Sequence, residues 1–250
     1  MALDLQEALF ITLVRLGRGM AESTMAHLYG LSQSTISTVI ITFVNFLFLK
    51  LGSLNIFPNK EVVRENMASC FKTLYPDTRI ILDATAVTIE IPCSLCKQSM
   101  SFSSYKQRNT LKGLIGISPT LTVCFVSQLY TGSISDRELT ERSGLLDLLY
   151  DRGDSIMADK GFTILDLLKG SGLKLNIPPF LNDRSSLLPA EVIETQEIAS
   201  VRIHVERAIR RVKSFHILDG VIDATMYGSI NQVWSVCCLL TNFMDPLIKA

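Results

Sequence analysis

The chain has 250 residues, 48% of them hydrophobic and 19% charged, with 24 Lys and Arg against 24 Asp and Glu. That composition excludes global disorder and suits one large domain or a domain with a small appendage. A formal net charge of zero means that bulk charge selects no nucleic-acid partner, so local charge has to carry that information.

The N-terminus, "MALDLQEALF", places acids where a secretion signal has a basic region. Reduced thiols are therefore expected for Cys70, Cys93, Cys96, Cys124, Cys237 and Cys238. Cys93 and Cys96 form a lone C-x-x-C, and His204 and His216 are too far apart to complete a zinc site, so ordinary thiols are expected. Helical spacing runs through "LQEALFITLVRLG" to Gly17 and through "AESTMAHLYG" to Gly30. Ser32 then caps "LSQSTISTVIITFVNFLF". This is a helix-turn-helix pattern, which would offer Gln33 and Ser34 at the start of its last helix to DNA, the alternative being a plain helical bundle packed on the next domain. The most apolar run, Val39 to Leu49, has 11 residues, short of the roughly 18–20 a membrane span needs. A buried helix and no membrane partner are expected.

One further helix, "KEVVRENMASCFKTLY", precedes a change of texture at Pro76. "RIILDATAVTIEIP" reads as two strands, "LTVCFVSQLY" as a third, "DSIMADK" as a fourth and "LKLNIPP" as a fifth. Ser135 and Glu138 stand at capping-box spacing before a helix. "IASVRIHVERAIRRVKSF" is a basic helix, and a last apolar helix spans Ile230 to Met244. Strands in a row followed by strand–helix alternation predict a mixed α/β sheet with helices on both faces. This is the order of the ribonuclease H-like fold. The division expected is a helical region over 1–75 and a sheet domain over 76–250.

Three acids take defined places in that order. Asp83 closes the first strand, Asp159 closes the fourth, 76 residues later, and Glu206 lies in the basic helix 47 residues beyond. With the first and fourth strands side by side, the aspartates become neighbours and the helix brings Glu206 from a third side. Three carboxylates without a His or Cys nucleophile suit hard divalent cations. Two such ions about 4 Å apart can clamp both oxygens of a phosphoryl displacement. Taken singly, Asp83 reads as a strand-end turn and Glu206 as a partner of Arg202 or Arg210.

"IILDATAVTIEIP", "YKQRNTLKGLIGISP", "FVSQLYTGSISDRELTERSGLL", "MADKGF", "LNIPPF" and "RIHVERAIRRVK" together resemble the DDE superfamily endonucleases of eukaryotic DNA transposons, the PIF/Harbinger-like group above all. The likeness runs over nearly the whole chain. It implies a metal-dependent DNA endonuclease and strand transferase, a transposase using Mg²⁺ or Mn²⁺, two ions in all, on the double-stranded DNA of transposon ends and targets. It implies catalytic and metal-binding roles for Asp83, Asp159 and Glu206, with Gly161 allowing a tight turn after Asp159. It also implies work in the nucleus, a homo-oligomer, and a separate DNA-binding domain, as in relatives with a THAP-type zinc finger, or a partner protein. Two positions depart from the group: Ala86 stands where many relatives have an acid, and Leu121 where they often have glycine.

From Ile91 to Ser135 there is no Asp or Glu, while Lys97, Lys106, Arg108 and Lys112 are present. A second basic region holds Arg202, Arg207, Arg210, Arg211 and Lys213 around Glu206. Both are expected to flank the acids as a DNA groove of salt-sensitive phosphate contacts. Asp136 reads as a helix N-terminal acid or as a support to the ligands. His204 reads as a surface or phosphate-contact residue. The rival to an active nuclease is a domesticated or decayed transposase that binds DNA or protein without cutting. A third reading is a nuclease of RNA-containing duplexes.

Overall fold

The structure, a computed structural model, describes residues 3–148, 150–181, 184 and 186–247. Helix α1 (Leu5–Arg18) begins at a capping box between Asp4 and Glu7 and ends where Gly19 turns left-handed. Helix α2 (Glu22–Tyr29) ends at Gly30, φ 65°. Helix α3 (Gln33–Gly52) is capped by Ser32, whose side chain accepts from the Thr35 N–H. Both α1 and α2 pack on α3, as expected for a helix-turn-helix. The apolar run grows here into a 20-residue helix, long and apolar enough to cross a membrane by length and composition. Only Ile36, Ile40 and Val44 are buried, while Ile41, Phe46 and Leu49 stay exposed. The expected burial therefore holds for one stripe only.

The next predicted helix is two: α4 (Lys60–Asn66) and α5 (Ser69–Leu74). Met67 and Ala68 between them are extended, and the Ala68 N–H donates to the Pro119 carbonyl at 3.1 Å instead of to a helical turn. Strand β1 (Thr78–Ile89) corrects the two strands expected there, for it runs unbroken over 12 residues. No turn residue interrupts its β-branched alternation, so Asp83 stands in mid-strand and not at its end. After α6 (Leu95–Ser101) and β2 (Phe102–Ser103) comes β3 (Arg108–Ile117), a strand the sequence pattern did not reveal. Strands β4 (Val123–Val126) and β5 (Tyr130–Thr131), helix α7 (Asp136–Arg142), and strands β6 (Ser155–Met157) and β7 (Lys174–Asn176) follow. The chain ends with α8 (Pro189–Lys213), β8 (Val221–Ile222) and α9 (Ile230–Leu240).

These strands form one mixed sheet in the order β2-β3-β1-β6-β7, with β4 and β5 on β3 and β8 on β1. Strands β1 and β3 are antiparallel, whereas β1, β6 and β7 are parallel. A curled mixed sheet flanked by helices and preceded by helices is consistent with the ribonuclease H-like arrangement. Alternation along β1 feeds two cores. Ile81, Val87 and Ile89 join the core beneath α3, α8 and α9, and Ile80 and Leu82 join the core on the opposite face.

Across residues 75–76 the packing is continuous. Helix α3 packs on α9, and Lys60 of α4 pairs at 2.7 Å with the fully buried Asp154, which also takes Arg79 of β1 at 2.7 Å.

The two positions that depart from the resembled family have structural counterparts. Leu121 sits at φ 68° in the turn before β4. The left-handed region disfavours a side chain by roughly 1–2 kcal/mol, which accounts for glycine at that place. Ala86 lies directly opposite Lys112 across β1 and β3, so an acid there would face a lysine.

Candidate active site

Asp83 shares the parity of Ile81 and Val87, which sends its side chain to the face of β1 covered by α8. Its carboxylate accepts from the Ala84 N–H at 2.8 Å. Burial pushes the carboxyl pKa up to about 6; Arg202 and the Ala84 N–H oppose the shift, while the nearby charges of Asp159 and Glu206 add to it. The chain places the three predicted acids in one electrostatic neighbourhood.

Asp159 lies two residues past the end of β6. The Ala158 N–H still donates to the Asn176 carbonyl at 3.1 Å, and the Phe162 N–H then donates to the Asp159 carbonyl at 2.9 Å, closing a turn anchored by buried Phe162. Gly161 serves this turn by its size. It is not among the glycines with positive φ, but a Cβ there would stand 3.1 Å from Asp136 Oδ2. Asp136, the first residue of α7, pairs with Lys112 Nζ at 2.8 Å. Ser135 caps the helix by accepting from the Glu138 N–H at 3.1 Å, but the Glu138 carboxylate turns to Arg142, so only half of the expected capping box forms.

Asp83, Asp136 and Asp159 line one cavity of about 500 Å³ together with Lys106, Lys112 and Tyr105. Glu206 is exposed on α8 and is not among the lining residues. One turn before it, Arg202 reaches Asp159 rather than Glu206: Nη1 lies 3.0 Å from Oδ1. The Arg202 side chain is 11% exposed, and its Nε is buried without an acceptor among the described residues.

The donor chemistry fits a hard divalent cation, since the acids of the site offer oxygen ligands only and Asp83 is a half-buried carboxylate whose pKa is raised despite Arg202. The arrangement does not itself close around an ion. Among the described residues no group of three or more His, Cys, Asp or Glu is spaced to hold one. Arg202 stands on Asp159 in that role.

The predicted DNA-contact residues fall into several places. Lys106 and Lys112 line the acid cavity. Lys213 is half-buried, and burial first, then Lys106, holds its pKa below the usual lysine range while Asp219 and then Asp83 oppose. Arg108, Arg207 and Arg210 are exposed. Arg211 donates to the Asp245 carbonyl at 2.5 Å and the Pro246 carbonyl at 3.5 Å. Gln33 and Ser34 are exposed at the start of α3, yet no Lys or Arg lies between Arg18 and Lys50 to anchor phosphates beside them. His204 is also corrected: it is 5% exposed, packed on Phe71, with Nε2 3.6 Å from Cys70 Sγ. Burial and then Arg207 lower its pKa, so it is a neutral core residue.

The family described as DDE superfamily endonuclease matches residues 82–242, a span holding all three predicted acids. Comparison with curated proteins and with solved structures gives no match. A match over most of the chain, on a sheet that sets Asp83 on β1 and Asp159 just beyond the parallel neighbour β6, makes this chain a member of the DDE superfamily endonuclease family, within the DDE transposase superfamily.

Proposed function

We propose that the chain is a nuclear DNA endonuclease and strand transferase of PIF/Harbinger type, with Asp83, Asp159 and Glu206 as its catalytic carboxylates. The observation that supports this reading most is the lysine-lined cavity shared by Asp83 and Asp159, with Glu206 close enough to act on the charge of Asp83. These carboxylates would hold Mg²⁺ or Mn²⁺, which when bound supplies charge neutralisation at the phosphate and an acidified water or 3′-hydroxyl. Lys106 and Lys112 meet the incoming phosphates. Asp136 holds Lys112 in place at 2.8 Å. Exposed Arg207 and Arg210 extend the phosphate contacts along α8.

Nicking of supercoiled plasmid with Mg²⁺ or Mn²⁺ tests this. Activity is expected to need the metal, to vanish in Asp83→Ala, and to fall as pH drops from 7 to 5. The sign follows from Asp83: its carboxyl, raised to about 6, is ionised above that value, and below it a proton competes for the ligand position. Metal-independent nicking, or full activity in Asp83→Ala, contradicts the assignment.

The Arg202–Asp159 pair favours one second reading, a domesticated or decayed chain that binds DNA or a partner protein without cutting. DNA binding by the folded chain without metal-dependent nicking selects it.

A further inference from the structure

Resting on that reading, a second feature narrows the substrate. Two exposed aromatic rings each carry a lysine over one face: Tyr105, which lines the acid cavity, and Phe180, whose lysine is the residue after Asp159. Tyr105, at the tip of the β2–β3 hairpin, is 87% exposed, with Lys106 Nζ 5.0 Å from its ring centre. Phe180, after β7, is 37% exposed, with Lys160 Nζ 5.2 Å from its ring centre. Both distances suit a cation–π contact.

Their placement follows from the sheet order. Strand β1, bearing Asp83, and β6, which leads to Asp159, are central; β3 and the Tyr105 hairpin lie on one side, β7 and the segment leading to Phe180 on the other. Tyr105 and Lys106 themselves line the acid cavity, and Lys160 directly follows Asp159. The backbone that carries each ring is constrained. Gln107, at φ 54°, closes the hairpin with its N–H donating to the Ser103 carbonyl at 2.8 Å. Pro178 and Pro179 stiffen the backbone before Phe180. A pre-positioned ring loses little freedom when a ligand stacks on it.

A ring with a cation on one face and solvent on the other matches a nucleotide in two ways. The base stacks on the open face, and the neighbouring ammonium meets the phosphate. Inside a duplex both faces of a base are already stacked, so only an unpaired base can use such a seat. We propose that Tyr105 with Lys106 and Phe180 with Lys160 are two nucleotide seats on opposite sides of the carboxylates. The substrate they select is DNA that is unpaired on both sides of the phosphate to be cut.

The test compares binding of the full chain, without metal, to a DNA duplex and to the same duplex with a short unpaired bubble carrying 2-aminopurine. The bubble is expected to bind about tenfold more tightly, with its 2-aminopurine emission quenched by stacking. Tyr105→Ala and Phe180→Ala should each weaken bubble binding by about tenfold and leave duplex binding nearly unchanged. Tyr105→Phe, which keeps the ring, should behave as the parent, and unchanged melting temperatures show that the variants fold. Equal, salt-sensitive binding of both DNAs overturns the seats and leaves the DNA-nuclease reading standing. Bubble preference retained in both alanine variants overturns the assignment to these rings. Binding to neither DNA overturns the inference and the reading together.

Discussion

Asp159→Asn is expected to lower metal-dependent nicking by at least about 10³-fold, equivalent to about 4 kcal/mol of activation free energy, while the protein melts within about 3 °C of the parent. The two halves have different causes. The amide keeps the size of the side chain and its carbonyl oxygen, so the Lys160 N–H, 2.7 Å from Oδ1, keeps an acceptor. The charge paired with Arg202 is lost, but the amide oxygen still accepts from the guanidinium, and although Arg202 is 11% exposed the Asp159 side chain is 52% exposed, so water compensates and the loss is about 1 kcal/mol. The negative charge, by contrast, is what a hard cation requires of this ligand. Plasmid nicking beside a thermal melt decides the matter. A folded variant that cuts at the parent rate removes Asp159 from the chemistry, and a variant that fails to fold gives the residue a structural role that its half-exposed carboxylate does not suggest.

The largest loss of stability is expected elsewhere, at Asp154→Ala: about 3–5 kcal/mol, or roughly 10 °C or more in melting temperature. Asp154 is fully buried and receives Lys60 Nζ at 2.7 Å, Arg79 Nε at 2.7 Å and the Asp151 N–H at 2.9 Å. Alanine withdraws the carboxylate from two cations in a poorly solvated place, where the Arg79 guanidinium already lies 4.9 Å over the Phe57 ring. Lys174→Ala is the control. Its pair with Asp77 joins side chains that are 62% and 45% exposed, so its loss costs under about 1 kcal/mol. Chemical denaturation of the three proteins measures the difference. Equal stability of Asp154→Ala and Lys174→Ala would mean that the network does not tie the helical region to the sheet.

The sequence made the neighbourhood of Asp83 and Asp159 legible because strand order decides it, and β1 does pair with β6 in parallel. Caps were legible for the same local reason: Ser32 and Gly30 act at the ends they mark. Strand β3 was hidden by its glycines. A Cβ at Gly113 would stand 2.7 Å from Trp234, and one at Gly116 would stand 2.3 Å from Ile80. Tertiary packing on both faces therefore demands residues that weaken the local strand signal. His204 looked like a surface residue because its neighbours on α8 are charged, and its burial arises from α5, far away in sequence. Arg202 was counted among the DNA cations. Its position four residues before Glu206 hinted at a local pair, but the partner it takes, Asp159, comes from the turn after β6.

That partner choice links two binding events. Asp159 Oδ1 faces a guanidinium in the resting chain, and a divalent ion reaching the same oxygen has to displace it. A DNA phosphate that draws Arg202 toward itself would lower the cost of that displacement, and an ion that frees Arg202 would in turn leave a cation for the phosphate. Linkage makes such help reciprocal, so each ligand raises the affinity for the other by the same factor. In the proposed nuclease the pair would then act as an interlock, keeping metal occupancy low until DNA arrives.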